Sequence, residues 1–472
     1  MTTQSGHEGL GDAAAVVAAL RAALGDAVSV DTGLLDAARA DRSGHRSLSA
    51  PLAVVFVGSV ADVQATMRIA TAHHTPVVTR GAGTGLAGGS IAGPGEIVLS
   101  TIRMNRVLEI APADELAVVE PGVINADLNV ALEAHGLWFA PDPASKAIST
   151  IGGNIATGAG GLLCAKYGVT REAVLALKVV RSDGTLLELG HRSVKGVTGL
   201  DLTALMIGSE GTLGVIVEAT VKLLPVPIGT AWTIGAWFAD VRTAAAASAA
   251  ITAARVRPAV MELLDSRAVE LIGAHLGLPA QGGRAYLLVQ TDGAASEPEA
   301  ALAASIIAGL GGDASLTEDP DEGERLLAIR RAFHPAMEAH ARLGAGSAPG
   351  SVLIEDVAVP RSRLAEMFDA IGGIESRYDL VIPTVAHAGD GNLHPNFLFA
   401  GETIPDRVWA AAGELFEAAL ALGGTLTGEH GIGLLKKRWL GDELGSAQLA
   451  LQKQIKDVFD PLNILNPGKV FS

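Results

Sequence analysis

Two histidines that bracket a turn, and an adjacent glutamate–histidine pair further along, are the residues best suited to chemistry. His387 and His394 flank a segment rich in Gly, Asp and Asn, and Glu429 and His430 stand together between two glycines. Imidazole together with carboxylate is a ligand set for a borderline divalent cation such as Zn²⁺, Mn²⁺ or Fe²⁺. One histidine beside a turn is usually a surface or hydrogen-bonding residue, but this repeated arrangement predicts a metal-binding or catalytic site.

The segment before His387 indicates how these side chains are held. Residues 380–386 are mostly apolar and rich in β-formers, so they predict a strand that ends near His387. The turn that follows could return His394 to the same side of a sheet. Strand ends hold side chains in position while loops provide access, so this is a suitable place for a site.

A glycine-rich loop at residues 80–90 follows a predicted β-α-β unit. The unit comprises a strand at 53–57, a helix at 61–73 and a strand at 76–79. Five glycines in the eleven loop residues free successive backbone N–H groups to converge on an anion, and Arg80 and two hydroxyls suit phosphate. The loop fits the G-x-G-x-x-G dinucleotide pattern only formally, because no helix is expected after it. A flexible turn without a ligand is the alternative.

Two further glycine-rich stretches lie at 149–161 and 208–216. Between and after them, strands are predicted at 174–181, 186–189 and 219–224, with a hairpin turn at 182–184. Three glycine loops in one α+β domain predict a single long ligand that lies along the fold.

The pattern changes after residue 227, where strands alternate with helices. Strands are predicted at 231–238, 260–264, 286–291 and 352–359, and helices at 241–255, 266–276, 297–309, 323–342, 361–376 and 405–421. This alternation predicts an open antiparallel sheet covered by helices, in a separate domain from about 226 to 425. Outside it, helices are predicted at 12–25 and 443–458.

Composition limits the function classes. A chain of 472 residues predicts two domains or one domain with a large insertion, and its net charge of −16 argues against nucleic-acid binding, which usually requires a basic face. The one cysteine, Cys164, excludes an internal disulfide, favours a reducing compartment and is expected to be a small buried residue. We see no secretory signal and no apolar run of the ~20 residues that span a bilayer, so we expect a soluble, cytoplasmic protein without an integral membrane segment.

Taken in chain order, these loops and the histidine motifs resemble the vanillyl-alcohol-oxidase/PCMH flavoprotein superfamily, in particular its D-lactate dehydrogenase, D-2-hydroxyglutarate dehydrogenase and glycolate oxidase FAD-subunit branch. The resemblance implies an α+β fold with a PCMH-type FAD-binding domain, a ferredoxin-like α+β cap that holds substrate, and a C-terminal helical segment. The expected division is an N-terminal helical segment at 1–50, the FAD domain at 51–226, the cap at 227–425 and a segment at 426–472 that completes the active site.

The resemblance also implies which residues bind FAD. The matching positions are Arg80, Gly81, Ala82, Gly83, Thr84, Gly85, Gly89, Ser90, Pro141, Ser149, Gly152, Gly153, Asn154, Thr157, Gly211, Ile216 and Asn466. Because residues 80–90 contain no His or Cys, we expect the FAD to be non-covalent.

For the second site, the resemblance implies that His387, His394 and Glu429 bind the metal close to the substrate and that His430 is the general base. The positions that match substrate contacts are Arg330, which would pair with a carboxylate, and Asn396. Ile354 replaces a basic residue of some dicarboxylate-using members, which argues against a dicarboxylate. Arg331 is expected to be a solvated or interdomain charge.

These implications predict metal-dependent oxidation of a D-2-hydroxy acid, most simply one like D-lactate, with hydride transfer to flavin N5. The alternatives are D-2-hydroxyglutarate dehydrogenation, an O₂-using oxidase, a glycolate-oxidising FAD subunit that needs partner chains, a flavoprotein without turnover, and a nicotinamide enzyme. The electron acceptor is unidentified, with quinone, electron-transfer flavoprotein, cytochrome and O₂ all open. The chain could act as a homodimer.

Overall fold

The computed structural model describes residues 13–344, 349–401 and 403–471, and four β-sheets lie within these ranges. The α-helices are α1 (Ala13–Leu24), α2 (Thr32–Ala37), α3 (Val60–Ala72), α4 (Asn125–Leu132), α5 (Ile151–Thr157), α6 (Cys164–Tyr167), α7 (Leu202–Met206), α8 (Val241–Ala253), α9 (Ser266–Leu276), α10 (Ser296–Gly309), α11 (Pro320–Arg331), α12 (Phe333–Gly344), α13 (Leu364–Tyr378), α14 (Asp406–Ala421) and α15 (Leu440–Phe459). The strands are β1 (Val28–Ser29), β2 (Ala53–Phe56), β3 (Val77–Arg80), β4 (Ile97–Ser100), β5 (Val107–Ala111), β6 (Leu116–Val119), β7 (Leu137–Trp138), β8 (Val174–Val180), β9 (Leu186–Gly190), β10 (Val215–Lys222), β11 (Leu224–Pro225), β12 (Trp232–Phe238), β13 (Val260–Leu264), β14 (Ala285–Thr291), β15 (Asp313–Thr317), β16 (Gly350–Ile354), β17 (Val357–Ala358), β18 (Thr384–His387) and β19 (Asn392–Ala400).

The chain divides into two units that are not contiguous in sequence. The first unit contains the described residues up to Gly160, Val169–Pro225 and those from His430 onward. The second unit contains Gly161–Gly168 and Val226–Glu429. The boundary between the last two segments falls between Glu429 and His430. The four contiguous domain ranges expected from the sequence stay a prediction.

A small, mostly parallel sheet in the first unit has the strand order β1-β2-β4-β3. Strands β2 and β3 each pair with β4 in parallel, so the predicted β-α-β unit is confirmed, with β4 between its two strands. The crossover helix α3 begins where the Ser59 side chain accepts a hydrogen bond from the Asp62 N–H at 3.2 Å. Strand β4 is apolar and buried, which suits the centre of a parallel sheet.

A second sheet of the first unit is antiparallel, with the strand order β5-β6-β10-β8-β9. The predicted hairpin joins β8 and β9, where Val180 pairs with Leu186. Strand β10 begins at Val215, four residues before the predicted start, so the third glycine loop runs directly into a strand.

The second unit contains an antiparallel sheet, as predicted, and its strand order is β15-β12-β14-β13-β18-β19-β16. The single helix expected at 323–342 is wrong, because two helices, α11 and α12, meet at Ala332. Pro335 explains the break, since proline has no N–H to bond the carbonyl of Arg331 four residues earlier. The single strand expected at 352–359 is also wrong, because Glu355 and Asp356 separate β16 from β17.

One face of this sheet carries both a core and polar groups. Leu264, Tyr286 and Val385 lie in a buried apolar cluster with side chains of α9, α11 and α12. Strand register places Glu262 opposite His387 on the same strand pair, where directly opposed residues share a face. Buried polar side chains therefore lie next to an apolar core here, on regular strands.

Two further predictions can be compared with the structure. Cys164 is a buried residue at the start of α6, as expected. In the described part of the chain, none of the helices is both long enough and apolar enough to cross a membrane.

Candidate functional site

The β18–β19 hairpin brings the two imidazoles together. Val385 pairs with His394 and His387 with Asn392, so both histidines project from one face of the sheet. Both are buried, and their ring centroids are 5.0 Å apart. The turn needs glycine at Gly391, where φ is +94° and a Cβ would lie 2.1 Å from the Val359 carbonyl oxygen. The prediction that the turn returns His394 to the side of His387 is confirmed.

Glu429 supplies a carboxylate to the same place. Its Oε1 lies 3.7 Å from His387 Nε2 and 3.3 Å from His394 Nε2. Ligand bonds of ~2.0–2.1 Å in tetrahedral geometry put neighbouring donor atoms about 3.4 Å apart, so both of these distances are close to the edge length of such a site. Three protein donors also leave a coordination position for water or substrate, as in catalytic rather than structural metal sites.

Glu262 orients one of these ligands from behind. Its Oε1 accepts a hydrogen bond from His387 Nδ1 at 2.7 Å, which leaves Nε2 directed to Glu429. Its Oε2 accepts from Arg330 Nε at 2.5 Å, and the Glu262 side chain is fully buried. A carboxylate behind a ligand histidine fixes its tautomer and ring orientation and makes it a stronger donor.

Asp356 holds the segment that carries Glu429. Its Oδ2 accepts the backbone N–H groups of Gly428 at 2.9 Å and Glu429 at 3.1 Å. Its Oδ1 accepts from the Asn392 side chain at 2.6 Å. The break in the predicted strand at 352–359 therefore places a buried carboxylate where it joins the Glu429 segment to β19.

The proton balance of this cluster fits a site that exchanges protons for a cation. Burial alone would lower the pKa of His387, but Glu262 and Glu429 together raise it well above its usual value. Burial alone would raise the pKa of Glu429, but the two histidines hold it well below its usual value. The pKa of Glu262 is lowered in the same way, by His387 and Arg330 against burial. A bound cation would replace the imidazole proton.

The residues matched to substrate contacts lie beside this cluster in the second unit. The Arg330 side chain on α11 is 16% exposed, and its Nε bonds Glu262. Asn396 is buried two residues after His394; its Nδ2 donates to the His394 carbonyl at 3.0 Å, and its Oδ1 has no partner among the described residues. Ile354 pairs with Asn396 across β16 and β19, so the two side chains share a face. Arg331 is an exposed residue that pairs with Glu324, as expected of a solvated charge.

His430, the predicted base, directly follows Glu429 and opens the last segment of the first unit. Its catalytic role stays a prediction.

The glycine loop at 80–90 is closed by its own arginine. Arg80 donates to the carbonyl oxygens of Ser90 and Ala40, each at 2.9 Å. Gly83 has φ of +68°, and a Cβ there would lie 2.2 Å from the Arg80 guanidinium. The contacts of Arg80 in this structure are therefore with the backbone of the loop and of Ala40, and they fix the loop's shape.

The glycine loops of the first unit have the features of a cofactor cradle. Several of their buried side-chain atoms have no hydrogen-bond partner in the described residues: Thr79 Oγ1, Ser90 Oγ, Ser149 Oγ, Asn154 Nδ2 and Asn466 Oδ1. Buried polar groups are normally satisfied, so these atoms indicate a ligand rich in donors and acceptors. At Gly152 a Cβ would lie 2.5 Å from the Pro121 side chain, so the backbone packs tightly there. The residues present fit FAD.

Four carboxylates near these sites were missed by the sequence reasoning. Glu262 had a signal, because it is the one charged residue in the buried strand β13. Glu210 also had one, since it stands among the glycines of the third loop. Asp356 fell inside the strand predicted at 352–359, and Asp41, a half-buried residue whose buried Oδ2 has no partner among the described residues, had no local signal.

Comparisons with known proteins identify the family of this chain. Residues 231–470 match the family of FAD linked oxidases, C-terminal domain, and residues 51–190 match a FAD binding domain family. The glycolate oxidase subunit GlcD of Bacillus subtilis (strain 168) is 41% identical over 428 residues, which cover 90% of this chain and 90% of that protein. A D-lactate dehydrogenase of Anaerostipes hadrus is 32% identical over 449 residues, which cover 89% of each chain.

A solved structure of p-cresol methylhydroxylase with substrate bound superposes with a TM-score of 0.77, over 97% of this chain and 96% of that one. At 19% sequence identity this likeness shows the fold alone. The fold agrees with the α+β, PCMH-type architecture that the resemblance predicted. The family matches and the relatives above 30% identity show that this chain belongs to the FAD-linked oxidases, a family of flavin-dependent oxidoreductases.

Proposed function

We propose that this flavoenzyme oxidises a small D-2-hydroxy acid, D-lactate or one like it, to the 2-oxo acid, with a divalent cation held by His387, His394 and Glu429. The observation that carries the proposal is the arrangement of these three donors at ligand-to-ligand distances of 3.3 and 3.7 Å, with Arg330 linked to His387 through Glu262. A 2-hydroxy acid presents a hydroxyl and a carboxylate on neighbouring carbons, which suits a cation beside a guanidinium.

The groups of this chain then have distinct tasks. When bound, FAD would supply an acceptor for the C2 hydride, and the cation, Zn²⁺, Mn²⁺ or Fe²⁺, would supply a positive charge that lowers the pKa of the substrate hydroxyl. Arg330 pairs with the substrate carboxylate, since Nε is the only atom of its guanidinium bonded among the described residues. Asn396 offers a buried, unpartnered Oδ1 as a contact for a substrate hydroxyl.

His430 takes the hydroxyl proton in this proposal. It stands next to the ligand Glu429 in the chain, so fixing Glu429 also restricts where His430 can go. Loss of the proton to His430 and of the hydride from C2 removes two electrons and two protons in total, which gives the 2-oxo acid. The FAD is non-covalent, because the loop at 80–90 offers no His or Cys to attach it.

Substrate size is the finer part of the proposal. Ile354 places an apolar side chain on the same face as Asn396, where it offers no charge to a second carboxylate. This favours a monocarboxylate over D-2-hydroxyglutarate. The 41% identical relative named as a glycolate oxidase subunit favours a second candidate, the FAD subunit of a glycolate-oxidising assembly with partner chains. The physiological electron acceptor of either enzyme is a separate partner.

Anaerobic bleaching of the bound flavin tests the proposal. The substrates are D-lactate, L-lactate, glycolate and D-2-hydroxyglutarate, each with and without EDTA. We expect D-lactate or glycolate to bleach the flavin, L-lactate and D-2-hydroxyglutarate to be much slower, and EDTA to abolish the reaction until metal is restored. A yellow protein that none of these acids bleaches, even with metal added, would remove the substrate class and leave the family assignment intact.

A further inference from the structure

The segment that begins with His430 is attached to the cofactor loops by one carboxylate. Glu210 Oε1 accepts the N–H of Ile432 at 2.7 Å, and Oε2 accepts the N–H of Gly433 at 2.9 Å. Both acceptors of a single side chain are thus used on consecutive amides, two and three residues after His430. This is the geometry of a clamp on a short backbone segment.

The same residue is tied to the cofactor loops through its own backbone. Its N–H donates to the Ala156 carbonyl at 2.8 Å, and its carbonyl accepts from the Asn466 side chain at 2.6 Å. Asn466 donates a second bond to the Gly89 carbonyl at 2.9 Å. Glu210 has φ of +51°, a left-handed conformation that a glutamate rarely adopts, so its position is imposed by these contacts.

The clamped segment also rests on the loop at 80–90. The N–H groups of Leu434 and Leu435 donate to the Ala87 carbonyl at 2.9 and 3.2 Å. Gly433 has φ of +50°, and a Cβ there would lie 2.1 Å from the same carbonyl oxygen. The backbone after His430 therefore touches the loop that is expected to bind the FAD pyrophosphate.

We propose that Glu210 is a positioning residue that joins the His430 segment to the FAD loops, so that bound FAD and an ordered His430 segment stabilise each other. The catalytic meaning of this coupling rests on the proposed role of His430, but the coupling itself does not. Because binding free energies are reciprocal, the factor by which FAD favours the ordered segment equals the factor by which an ordered segment tightens FAD binding.

Burial of charge makes Glu210→Gln an informative variant. Desolvation raises the pKa of the Glu210 carboxyl to about 7, against the opposing effects of the Ile432 and Gly433 N–H groups. A neutral glutamine removes that desolvation cost, so global stability is not expected to fall. It cannot accept on both of its atoms, so one of the two amides loses its partner. Faster amide exchange at residues 432–433 without a lower melting temperature would show that Glu210 positions this segment and does not merely stabilise the whole fold.

The test combines amide hydrogen exchange of residues 430–436 with FAD titration, on the full chain. In the wild type, FAD should slow exchange at Ile432 and Gly433. In Glu210→Gln, exchange there should be roughly tenfold faster or more, and FAD affinity should be weaker than in the wild type. Glu210→Asp, which keeps the charge but is one methylene shorter, should lie between the two. Glu375→Gln is the control, because Glu375 Oε1 also accepts a backbone N–H, from Ile382 at 3.2 Å, in the second unit.

Activity supplies a second readout. At saturating FAD and substrate, Glu210→Gln should still reduce its flavin more slowly than wild type and show a displaced pH profile, because His430 is less firmly held. The proposal would be overturned if FAD did not change the rate of amide exchange at residues 432–433 of the wild type. It would also be overturned if that rate were the same in Glu210→Gln as in the wild type. The comparison of exchange in the wild type with and without FAD does not depend on whether a variant folds. If no 2-hydroxy acid reduces the wild-type flavin, the proposed function fails while the exchange and titration results still decide the coupling.

Discussion

Replacing Glu262 by glutamine should weaken metal binding without removing any metal ligand. In the wild type the fully buried carboxylate accepts from His387 Nδ1 at 2.7 Å and from Arg330 Nε at 2.5 Å. A glutamine is neutral and can accept with one oxygen only, so Arg330 loses its carboxylate and either His387 Nδ1 or Arg330 Nε also loses its acceptor. Both outcomes disturb the donor set.

The size of the effect follows from this geometry. Loss of a carboxylate behind a ligand histidine typically costs ~10–100-fold in metal affinity. Leaving a buried charge without its partner costs about 3–5 kcal/mol, and we expect the lower end because Arg330 keeps 16% of its side chain exposed. The Glu262→Gln variant should therefore bind Zn²⁺ at least about tenfold more weakly, and its free energy of unfolding should be about 3 kcal/mol lower than that of the wild type.

The assay is competition with a chromophoric chelator for metal affinity, alongside urea denaturation of the metal-free protein. Glu120→Gln is the matched control, since Glu120 is a buried carboxylate that accepts from Arg106 Nη2 at 2.7 Å in the first unit. With Arg106 70% exposed, the control should cost about 1 kcal/mol or less and leave metal affinity unchanged. A Glu262→Gln protein that binds Zn²⁺ within about twofold of wild type would refute the reasoning.

Three further perturbations probe the cofactor loops, the substrate pocket and the metal site. Gly152→Ala should purify with little flavin, because its Cβ would lie 2.5 Å from Pro121, whereas Gly372→Ala, with open space around it, should keep a wild-type ratio of flavin to protein absorbance. Ile354→Lys should raise kcat/KM for D-2-hydroxyglutarate relative to D-lactate by about tenfold, since it adds a cation beside Asn396; an unchanged ratio in steady-state assays would separate this position from substrate choice. Metal affinity should keep rising above about pH 7.5, where an imidazole of ordinary pKa (~6.5) has lost its proton, because the raised pKa of His387 keeps a competing proton on its ring. A plateau already reached by about pH 7.5 in the chelator assay would contradict this.

The hairpin that carries His387 and His394 was predictable because its information is local. A strand that ends at His387, a Gly–Asp–Gly turn and a returning strand with His394 all lie within fifteen residues, and the period of two fixes which side chains share a face. The break between α11 and α12 also has a local cause, Pro335. The helical periodicity of the residues on both sides of it nevertheless predicted one continuous helix. Both features can therefore be predicted from local sequence, provided that the proline is given more weight than the helical periodicity.

The groups that support the ligands were beyond local reading. Glu262 meets His387 across 125 residues of chain, and that contact is set by the pairing of β13 with β18. Asp356 was hidden inside a predicted strand, and only the tertiary position of the Gly428–Glu429 amides explains why the strand breaks there. Glu210 likewise depends on the return of the C-terminal segment to the first unit. A charged residue in an unusual local sequence can mark such a position, but the sequence does not show which residue it contacts.

A single-turnover experiment tests the central claim most directly. Metal-free protein that retains its FAD is mixed anaerobically with D-lactate, either unlabelled or deuterated at C2, before and after Zn²⁺, Mn²⁺ or Fe²⁺ is restored, and the flavin absorbance is followed. Metal-dependent oxidation by hydride transfer predicts no bleaching without the cation, rapid bleaching with it and slower bleaching of the deuterated substrate. Bleaching by D-lactate that proceeds equally fast without metal would contradict the account.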